Sequence, residues 1–584
     1  MSKTLCTIKP KKPEKIRARF PATRLETFFS PQQVAVIGAS PKKGNQGGRI
    51  VESLDAQGFP GEIVVVHPQG ASVSGHPAVR SVTDLPEGME LAIAAVPATY
   101  VPSLVEPLGK KGIRHLIVIS GGFSETGEEG EKLQLALRAA GKRFGVRIIG
   151  PNAMGVFSAP DTFNSFFTTP GELGLPKPGP VAVVSQSGAF LLLILDRLSQ
   201  LGIGVNRAAN FGNRVDVGEN ELLEFMGSDP DIKVIGLYLE SVQNGKRFIE
   251  IARKVGQKKP IVIWKGGHLH RGNDAARAHS ASLAGSYDVF RAACDKAGVI
   301  EVSGFEEFTQ ALQVLAQQPP ALGRRTLVIS NGGGMGVFLT DLCEASGLKV
   351  PETPQALQDV LLTRLPDYFS CRNPIDLTGS GTNEQCADAM ERLMKSGSFD
   401  ALLMVLLAGT AGITPGIATL LRNRLPTGLP VVTAAYGTDM ATRLRKAFAQ
   451  DSIPVFDSAE SAVQALNILV KRGEAFRKTI IPVFGGERMY HPEPVRGWSR
   501  WPEDSPNEME LKDFLKLCGV LTPLHHHLET REDLDRAITH LGFPMILKAV
   551  SSNIKHKTEL GGLRLHITTL KDLLREWKVL SHQW

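Results

Sequence analysis

The chain has 584 residues, too many for one hydrophobic core, so about three to five domains are expected. Apolar residues make up 42% of the chain and charged residues 21%, which excludes a mainly disordered protein. The net charge is only +7, and the one dense basic cluster lies in residues 9–19. Residues 1–24 are therefore predicted to be a solvated basic arm, and neither a nucleic-acid partner nor a membrane is predicted.

The cysteines and one uncharged stretch bear on the cellular compartment and on whether the chain crosses a membrane. The cysteines are scattered without a C-x-x-C pair, which predicts reduced thiols in a cytoplasmic protein and no zinc site. Residues 401–421 carry no charge, but "GTAGITPG" at their centre would break a membrane helix. We predict a buried strand, a loop and the start of a helix there, in a soluble chain. The six cysteines are Cys6, Cys294, Cys343, Cys371, Cys386 and Cys518.

In chain order, short apolar runs such as "VAVIGAS", "VAVVSQ" and "TLVISN" alternate with longer helical patterns. This alternation is typical of parallel sheets covered by helices on both faces, which predicts an α/β fold. Three such units are predicted, at residues 25–158, 176–310 and 322–472. A linker rich in Pro, Gly and Trp follows at 473–505, and residues 506–584 begin with a helix and reach a strand, "FPMILKAV".

The first unit opens with a glycine-rich turn, "VAVIGASPKKGNQGG", directly after a strand. Its glycines, Gly38, Gly44 and Gly47, would let the backbone approach a diphosphate. Ser40, Lys42 and Lys43 would add hydroxyl and charge contacts. A plain tight turn is the alternative. The second strand, "EIVVVHPQG", lacks the acidic residue with which an NAD site binds the ribose, and this counts against a dehydrogenase.

A repeat links the second and third units. Residues 181–198 and 326–343 align without a gap, and Ser185 matches Ser330. Each copy predicts a strand, a tight glycine turn and a helix. Because a helix N-terminus exposes backbone N–H groups, both turns are candidate phosphate sites, although any α/β unit needs a small residue at such a turn.

The stretch "RAHSASLAGS", residues 277–286, surrounds His279 with small side chains. A core histidine usually has bulky neighbours and a surface histidine charged ones, so this histidine is predicted to meet a large polar group. A neutral imidazole is a competent nucleophile near pH 7 because its ordinary pKa is about 6.5. A partly exposed loop histidine is the alternative.

These motifs together resemble a known family. "VAVIGAS", "VPATYV", "ISGGFSETGEEG", "IIGPNAMGV", "VVSQSGAF", "ANFGNRVDVGENELLEF" and "AHSASLAGS" occur in the order seen in NDP-forming acyl-CoA synthetases. The resemblance spans about residues 25–475 and is closest to ADP-forming acetate–CoA ligases, relatives of succinyl-CoA synthetase. "FPMILKAVSSNIKHKTELGGLRL" is similar to the start of that family's ATP-grasp domain. The implied fold is a Rossmann-like CoA-binding domain, two flavodoxin-like CoA-ligase domains and an incomplete ATP-grasp domain.

The resemblance also implies catalytic roles for four residues. His279 matches the histidine that is phosphorylated and carries the phosphoryl group between two sites. Glu240 matches a glutamate that orients this histidine, and Asp216 is a weaker candidate for the same neighbourhood. His556 matches a second histidine that relays the phosphoryl group to ADP. For each of these residues, an ordinary surface side chain is the alternative.

Binding residues are implied at four places. Two are the helix N-termini of the repeat, the third is the CoA site, and the fourth is a lysine over the nucleotide phosphates. They are Ser187 and Gly188 at the first phosphate site, Gly332, Gly333 and Gly334 at the second, Lys548 for the nucleotide, and Gly38, Ala39, Ser40, Lys43, Val96, Pro97, Ser120, Gly121 and Asn152 for CoA.

The implied function is an ADP-forming acid–CoA ligase that works through an acyl phosphate, with acetate as the default acid. CoA, ATP or ADP, and Mg²⁺ are the implied substrates and cofactors, and a homo- or hetero-oligomer is the implied assembly. Relatives continue past the position of Trp584 with the adenine pocket and the magnesium ligands. The chain alone is therefore not expected to turn over ATP unless a second subunit completes the domain. The rival hypothesis is a regulatory protein that senses CoA or acyl-CoA with a ligase-like body.

Overall fold

The computed structural model describes residues 25–168, 171–269, 271–272, 286–407, 409, 412–480, 507–517, 520–550 and 560–583. They belong to two compact units that are divided between Ile481 and Pro482. The predicted basic arm and the predicted site residues His279 and His556 lie outside the described residues. Within the described ranges, no helix is both long enough and apolar enough to cross a bilayer.

The first domain is a parallel sheet covered by helices. Its strands are β1 (Gln33–Ile37), β2 (Glu62–Val66), β3 (Ala78–Val79), β4 (Leu91–Ala94), β5 (His115–Val118) and β6 (Arg147–Ile149), and its helices are α1 (Glu26–Phe29), α2 (Gln46–Gln57), α3 (Val101–Lys110) and α4 (Glu128–Phe144). The strand order, β3-β2-β1-β4-β5-β6, is that of a Rossmann fold. The order reverses between β1 and β4, so the ligand crevice of this fold lies beyond the carboxyl ends of these two strands.

The second domain carries the first copy of the repeat. Its strands are β7 (Gly155–Ser158), β8 (Phe163–Asn164), β9 (Val181–Ser185), β10 (Val205–Asn210), β11 (Val234–Leu239), β12 (Ile261–Lys265) and β13 (Ile300–Val302), and its helices are α5 (Gly188–Gln200), α6 (Glu219–Ser228), α7 (Gly245–Gly256), α8 (Tyr287–Ala297) and α9 (Phe305–Gln317). The order is β13-β12-β11-β9-β10-β7-β8, and its parallel part, β9 to β13, has the flavodoxin-like arrangement.

Strand β7 includes residue 158, the predicted end of the first domain. It pairs antiparallel with β10 and so belongs to the second sheet. The apolar pattern of residues 155–158 identifies a strand, but it contains nothing that selects one sheet over the other.

The third domain carries the second copy of the repeat. Its strands are β14 (Thr326–Ser330), β15 (Ile375–Asp376), β16 (Ala401–Leu407), β17 (Val431–Tyr436) and β18 (Val455–Phe456), and its helices are α10 (Gly333–Ala345), α11 (Gln355–Leu362), α12 (Asn383–Lys395), α13 (Ile417–Arg424), α14 (Asp439–Gln450) and α15 (Ala459–Ile480). The order β15-β14-β16-β17-β18 is again flavodoxin-like. Strand β16 and helix α13 confirm the prediction of a strand, a loop and a helix in residues 401–421.

Helix α15 continues to Ile480, past residue 473, where the linker is predicted to start. Gly473 lies inside it, where a glycine usually indicates that a helix is ending. Here the glycine serves close packing, since a Cβ at this position would lie 1.9 Å from the carbonyl oxygen of Ala321. The Arg324 guanidinium also donates to the Glu474 carboxylate at 2.7 Å, so the helix stays in contact with the third domain beyond residue 473.

The second compact unit is small. Its elements are α16 (Glu508–Leu517), α17 (Glu532–Leu541), β19 (Met545–Lys548), β20 (Leu563–Ile567) and α18 (Leu570–Gln583), and β19 pairs antiparallel with β20. The buried core consists of Leu534, Ile567 and Leu573. Helix α16 and strand β19 confirm the helix and the strand predicted from "NEMELKDFLKLCGV" and "FPMILKAV".

Candidate active site

The glycine-rich turn after β1 lies at the switch point of the first sheet. Gly38 has a φ of +89°, and a Cβ there would lie 2.5 Å from the carbonyl oxygen of Ala95, just beyond β4. Gly47, in the first turn of α2, is so close to Ala39 that a Cβ would lie 2.6 Å from its backbone nitrogen. Glycine at both positions lets the strand, the turn and the N-terminus of α2 converge at the crevice, where a diphosphate can bind.

Asn45 holds this turn in shape. Its side-chain oxygen accepts hydrogen bonds from the backbone N–H groups of Ser40, at 3.0 Å, and Gly48, at 2.7 Å. The residue thereby caps α2 and closes the loop at the same time. Lys43 is exposed on the outside of this loop, where its charge is available to an anion.

The loops after β4, β5 and β6 meet at the same edge of the sheet. The Ser120 hydroxyl donates a hydrogen bond to the carbonyl oxygen of Val96, the residue before Pro97. The Asn152 N–H donates to the carbonyl oxygen of Ser120 at 2.9 Å. Gly121 lies between two polar side chains, and a Cβ there would be 3.3 Å from the Asn152 Oδ1 atom. The structure therefore brings together the residues that were predicted to surround the thiol-bearing end of CoA.

Glu125 organises this edge, although the sequence reasoning did not single it out. Its Oε1 atom accepts the backbone N–H groups of Gly122, at 2.6 Å, and Phe123, at 3.1 Å, and its Oε2 atom accepts the side-chain amide of Asn213. Burial alone would raise the pKa of this carboxyl, but the hydrogen bonds from Asn213, Gly122 and Phe123 outweigh it and lower the pKa below 4.5. Glu125 is therefore ionised at neutral pH and ties the first domain to the "GNRVD" segment of the second.

The two copies of the repeat have the same local structure. Ser185 ends β9 and donates its hydroxyl hydrogen bond to the Ser187 carbonyl oxygen at 2.6 Å, and Ser330 ends β14 and donates to the Gly332 carbonyl oxygen at 3.2 Å. Ser187 and Gly332 are the N-caps of α5 and α10. The repeat predicted from the alignment is thus confirmed as a strand, a turn and a helix in each copy.

The first of these turns adjoins the CoA edge through a short segment. A Cβ on Gly188 would lie 3.1 Å from the Met154 Cβ, and Met154 follows Asn152 by two residues. The Met154 N–H donates to Asn210 Oδ1 at 2.6 Å, and the Asn210 amide nitrogen donates to the Ser185 carbonyl oxygen at 2.9 Å. One segment therefore borders both the predicted thiol end of CoA and the first predicted phosphate site.

Glu240 lies beside the same turn. It follows β11, the neighbour of β9, and only 7% of the residue is exposed. Its backbone N–H donates a hydrogen bond of 2.9 Å to the side chain of Gln186, which directly precedes Ser187. The structure therefore places the backbone of Glu240, the predicted orienting residue, next to the predicted phosphate site at the switch point of the second sheet.

The turn at Gly332–Gly334 has a different electrostatic environment. A Cβ on Gly333 would lie 2.8 Å from the Asp376 Oδ2 atom, whereas a Cβ on Gly334 would meet nothing within 4 Å. The Thr378 N–H donates to the other Asp376 oxygen at 2.8 Å. A phosphate bound at this turn would be repelled by the Asp376 carboxylate, so binding there requires a cation or a proton that offsets the charge.

Asp216 has contacts that differ from the predicted ones. Its carboxylate pairs with the Arg147 guanidinium at 2.7 Å and accepts the Ile148 N–H at 2.9 Å. These contacts join the second domain to strand β6 of the first. A role beside Glu240 remains a prediction that no contact within the described ranges supports.

In the second unit, Lys548 ends β19 as predicted. Its Nζ atom lies 3.0 Å from Glu508 Oε1, which also pairs with Lys512 at 2.9 Å. These three residues line a cavity of about 960 Å³, together with Met545 and Trp577. The cavity has apolar and charged walls, and the Lys548 ammonium group at its edge could contact a phosphate.

The described residues do not form a recognisable metal site, since no group of three or more His, Cys, Asp or Glu side chains there is arranged to hold an ion. The implied Mg²⁺ therefore has no assigned ligands in this part of the chain.

Family models match three parts of the chain. A CoA-binding domain matches residues 32–159, a succinyl-CoA ligase-like flavodoxin domain matches residues 178–315, and an ATP-grasp domain matches residues 501–583. These matches support the predicted order of a CoA-binding domain, a ligase domain and a partial ATP-grasp domain.

Whole-chain comparisons point in the same direction. The chain is 30% identical over 558 residues to the ADP-forming acetate–CoA ligase I of Archaeoglobus fulgidus, covering 93% of this chain and 78% of the relative. It is 34% identical over 455 residues to the alpha subunit of the ADP-forming acetate–CoA ligase I of Pyrococcus furiosus, covering 76% of this chain and 97% of the subunit. A solved structure from Ca. Korarchaeum cryptofilum is also similar. It is a dinucleotide-forming acetyl-coenzyme A synthetase in complex with phosphate and ADP, with a TM-score of 0.72, 29% identity, and coverage of 78% of this chain and 98% of that one. The chain belongs to the ADP-forming acetate–CoA ligase family of acyl-CoA synthetases.

Proposed function

We propose that the protein joins acetate to CoA with cleavage of ATP to ADP and phosphate, and that His279 carries the phosphoryl group. The observation that carries this proposal is the segment Asn152–Met154. It borders the predicted thiol end of CoA on one side and the Ser187 turn on the other. An acyl phosphate held at that turn would therefore lie within reach of the CoA thiol.

The reaction balances in three transfers. An imidazole nitrogen of His279 takes the γ-phosphoryl group of ATP and releases ADP. A carboxylate oxygen of acetate then attacks the phosphorus, which frees the imidazole and forms acetyl phosphate. The CoA thiolate attacks the acetyl carbonyl carbon, forms the thioester and releases phosphate. Each transfer exchanges one high-energy linkage for another, so the three-step reaction is reversible.

The residues of the chain position these groups and stabilise charge. At the start of α5 the Phe190 N–H donates to the Ser187 Oγ atom at 3.5 Å, whereas the Gly188 and Ala189 N–H groups have no partner within the helix. Those two N–H groups, together with the hydrogen of the Ser187 hydroxyl, would hold the phosphate oxygens. Glu240 would orient the histidine through its second ring nitrogen, and Glu125 would keep the CoA-binding loops closed. Phosphoryl transfer depends mainly on such positioning and charge stabilisation.

Mg²⁺ would accompany the nucleotide, but the described residues offer no ligand set for it. No step is therefore assigned to the metal. Lys548 would contact the nucleotide phosphates from the end of β19. His556 would divide the first transfer into two by carrying the phosphoryl group from ATP to His279. We further propose an assembly of more than one polypeptide, which the similarity to a relative named as an alpha subunit supports.

The reverse reaction with defined acyl-CoA thioesters tests the proposal without ATP. The purified chain receives phosphate with acetyl-CoA, propionyl-CoA, butyryl-CoA or succinyl-CoA, and free CoA and acyl phosphate are measured by chromatography. We expect the fastest release of CoA from acetyl-CoA, with a slower rate in Ser187→Ala. Ser199→Ala is the matched control, because Ser199 lies at the other end of α5 and donates to the Leu175 carbonyl oxygen. CoA binding without phosphate-dependent release of CoA from any thioester would contradict the proposal and favour the sensor hypothesis.

A further inference from the structure

Residues 240–241 lie just beyond the end of β11, where the sheet no longer provides hydrogen bonds to the backbone. Buried backbone groups need partners, because an unsatisfied one loses its hydrogen bonds to water without replacing them. Glu240 and Ser241 are 7% and 3% exposed, so their four backbone polar groups must be satisfied by the protein. The structure shows that side chains from three separate parts of the second domain provide these partners.

Gln186 satisfies both N–H groups. Its Oε1 atom accepts from the Glu240 N–H at 2.9 Å and from the Ser241 N–H at 3.1 Å. The backbone of Gln186 is itself fixed, because its N–H donates to the Tyr238 carbonyl oxygen and its carbonyl oxygen accepts from the Asn210 side chain. Since Gln186 directly precedes Ser187, the same residue connects the phosphate turn to Glu240.

Two buried cations satisfy the carbonyl oxygens. Lys265, at the end of β12, donates from Nζ to the Glu240 carbonyl oxygen at 2.6 Å. Arg214 donates to the Ser241 carbonyl oxygen at 2.9 Å and also to the Ser241 hydroxyl. Only 8% of Lys265 and 5% of Arg214 is exposed. Arg214 is balanced by a buried ion pair with Glu219 at 3.1 Å, and Glu219 accepts the Gln243 N–H.

The second copy of the repeat provides a comparison. Asn331 occupies the position that matches Gln186, and its amide exchanges two hydrogen bonds with the backbone of Leu407, at the end of β16. Both copies thus use an amide side chain to fix the end of the neighbouring strand. In the first copy the fixed residue is an ionisable glutamate, so there the device sets the position of a carboxylate.

We propose that Gln186 is a positioning residue that acts through Glu240, with Lys265 as its counterpart on the carbonyl side. The inference deepens the proposed function and rests on it, because Glu240 needs an exact place only if it orients the phosphorylated histidine. Loss of Gln186 would leave two buried N–H groups without their acceptor. The Glu240 backbone would then move away from the Ser187 turn, while the CoA-binding loops of the first domain would keep their own contacts.

A double-mutant cycle on phosphoenzyme formation tests this inference. The full chain is incubated with labelled phosphate and acetyl-CoA, and the rate of label uptake is compared in the parent, Gln186→Met, Glu240→Gln and the double variant. We expect Gln186→Met to slow uptake by about 10-fold or more. The double variant should be no slower than the slower single variant, since two residues that act as a unit are not additive. CoA affinity should remain within about twofold of the parent, because the CoA-binding loops are not touched.

Several outcomes would overturn the inference. A Gln186→Met rate within twofold of the parent would remove the role of Gln186, and losses that multiply in the double variant would show that Gln186 acts independently of Glu240. If Gln186→Met does not fold, Lys265→Met replaces it in the same cycle with the same expectation and the same refutation. A parent chain that takes up no label would instead overturn the proposed function, and this inference with it.

Discussion

Replacing Gly47 by alanine tests whether close packing of α2 against the glycine-rich turn builds the CoA site. The added Cβ would lie 2.6 Å from both the Cα and the backbone nitrogen of Ala39. Carbon atoms in contact normally lie about 3.5–4.0 Å apart. Because both neighbours are backbone atoms, they cannot rotate away as a side chain would. Helix α2 or the turn must therefore shift by about 1 Å.

Two opposing effects set the expected magnitude. Alanine in place of glycine in a helix stabilises by at most about 1 kcal/mol, whereas overpacking a close contact costs about 1–3 kcal/mol. We expect a net destabilisation of about 1–2 kcal/mol. CoA affinity should fall by a larger factor, about 10- to 100-fold, because a shift of this size misplaces the N–H groups at the N-terminus of α2.

The assay compares urea denaturation and calorimetric CoA binding in Gly47→Ala and a matched control. Gly245→Ala is suitable, because Gly245 is the first residue of α7 and a Cβ there would meet nothing within 4 Å. The control should bind CoA like the parent and be at least as stable. Parental stability and CoA affinity in Gly47→Ala would refute the reasoning, as would an equal loss in Gly245→Ala.

Three further predictions follow from individual contacts. Glu125→Gln should destabilise the protein by about 1–2 kcal/mol at pH 7. Because folding lowers the pKa of this carboxyl below 4.5, the difference in unfolding free energy between the parent and the variant should shrink as the pH falls through the lowered pKa. Urea denaturation at pH 7 and pH 4 measures this difference, and an equal difference at both pH values would contradict the prediction. Arg214→Met should cost about 3–5 kcal/mol because it leaves Glu219 buried and uncompensated, and a loss below about 1 kcal/mol in the same assay would contradict this. Lys548→Met should weaken ADP binding by about 10-fold or more in equilibrium dialysis. Lys516 lies on α16 but outside the cavity lining, so Lys516→Met should bind ADP as the parent does. Equal ADP affinities in the two variants would remove Lys548 from the site.

The sequence allowed the prediction of features that depend on local pattern. Buried parallel strands are nearly continuous apolar runs, so β9, β14 and β16 could be located directly. The gapless repeat predicted two equivalent turns, and the matching hydrogen bonds of Ser185 and Ser330 confirm it. The uncharged residues 401–421 were correctly assigned to a strand and a helix because of the glycines and the proline between them.

Features that depend on distant contacts could not be predicted. Nothing in "GVFS", residues 155–158, indicates that this strand joins the second sheet and not the first. The ion pair between Asp216 and Arg147 could not be predicted, because the two residues are 69 positions apart in the chain. Gln186 lies in the motif "VVSQSGAF", but the residue whose N–H it accepts, Glu240, is 54 positions away in the chain. The amide at the matching position of the repeat, Asn331, was the one available signal.

One labelling experiment tests whether His279 carries the phosphoryl group. The purified chain is incubated with radiolabelled phosphate and acetyl-CoA, which runs the reaction from its product side without ATP, and the protein is then treated with acid or base. We expect a protein-bound label that is lost in acid and stable in base, as a phosphoramidate is. The label should be absent in His279→Ala and present in His268→Ala, since His268 is an exposed residue whose ring contacts the Lys265 carbonyl oxygen and Tyr287. Label that persists in His279→Ala, or no label in the parent while CoA still binds, would contradict the account.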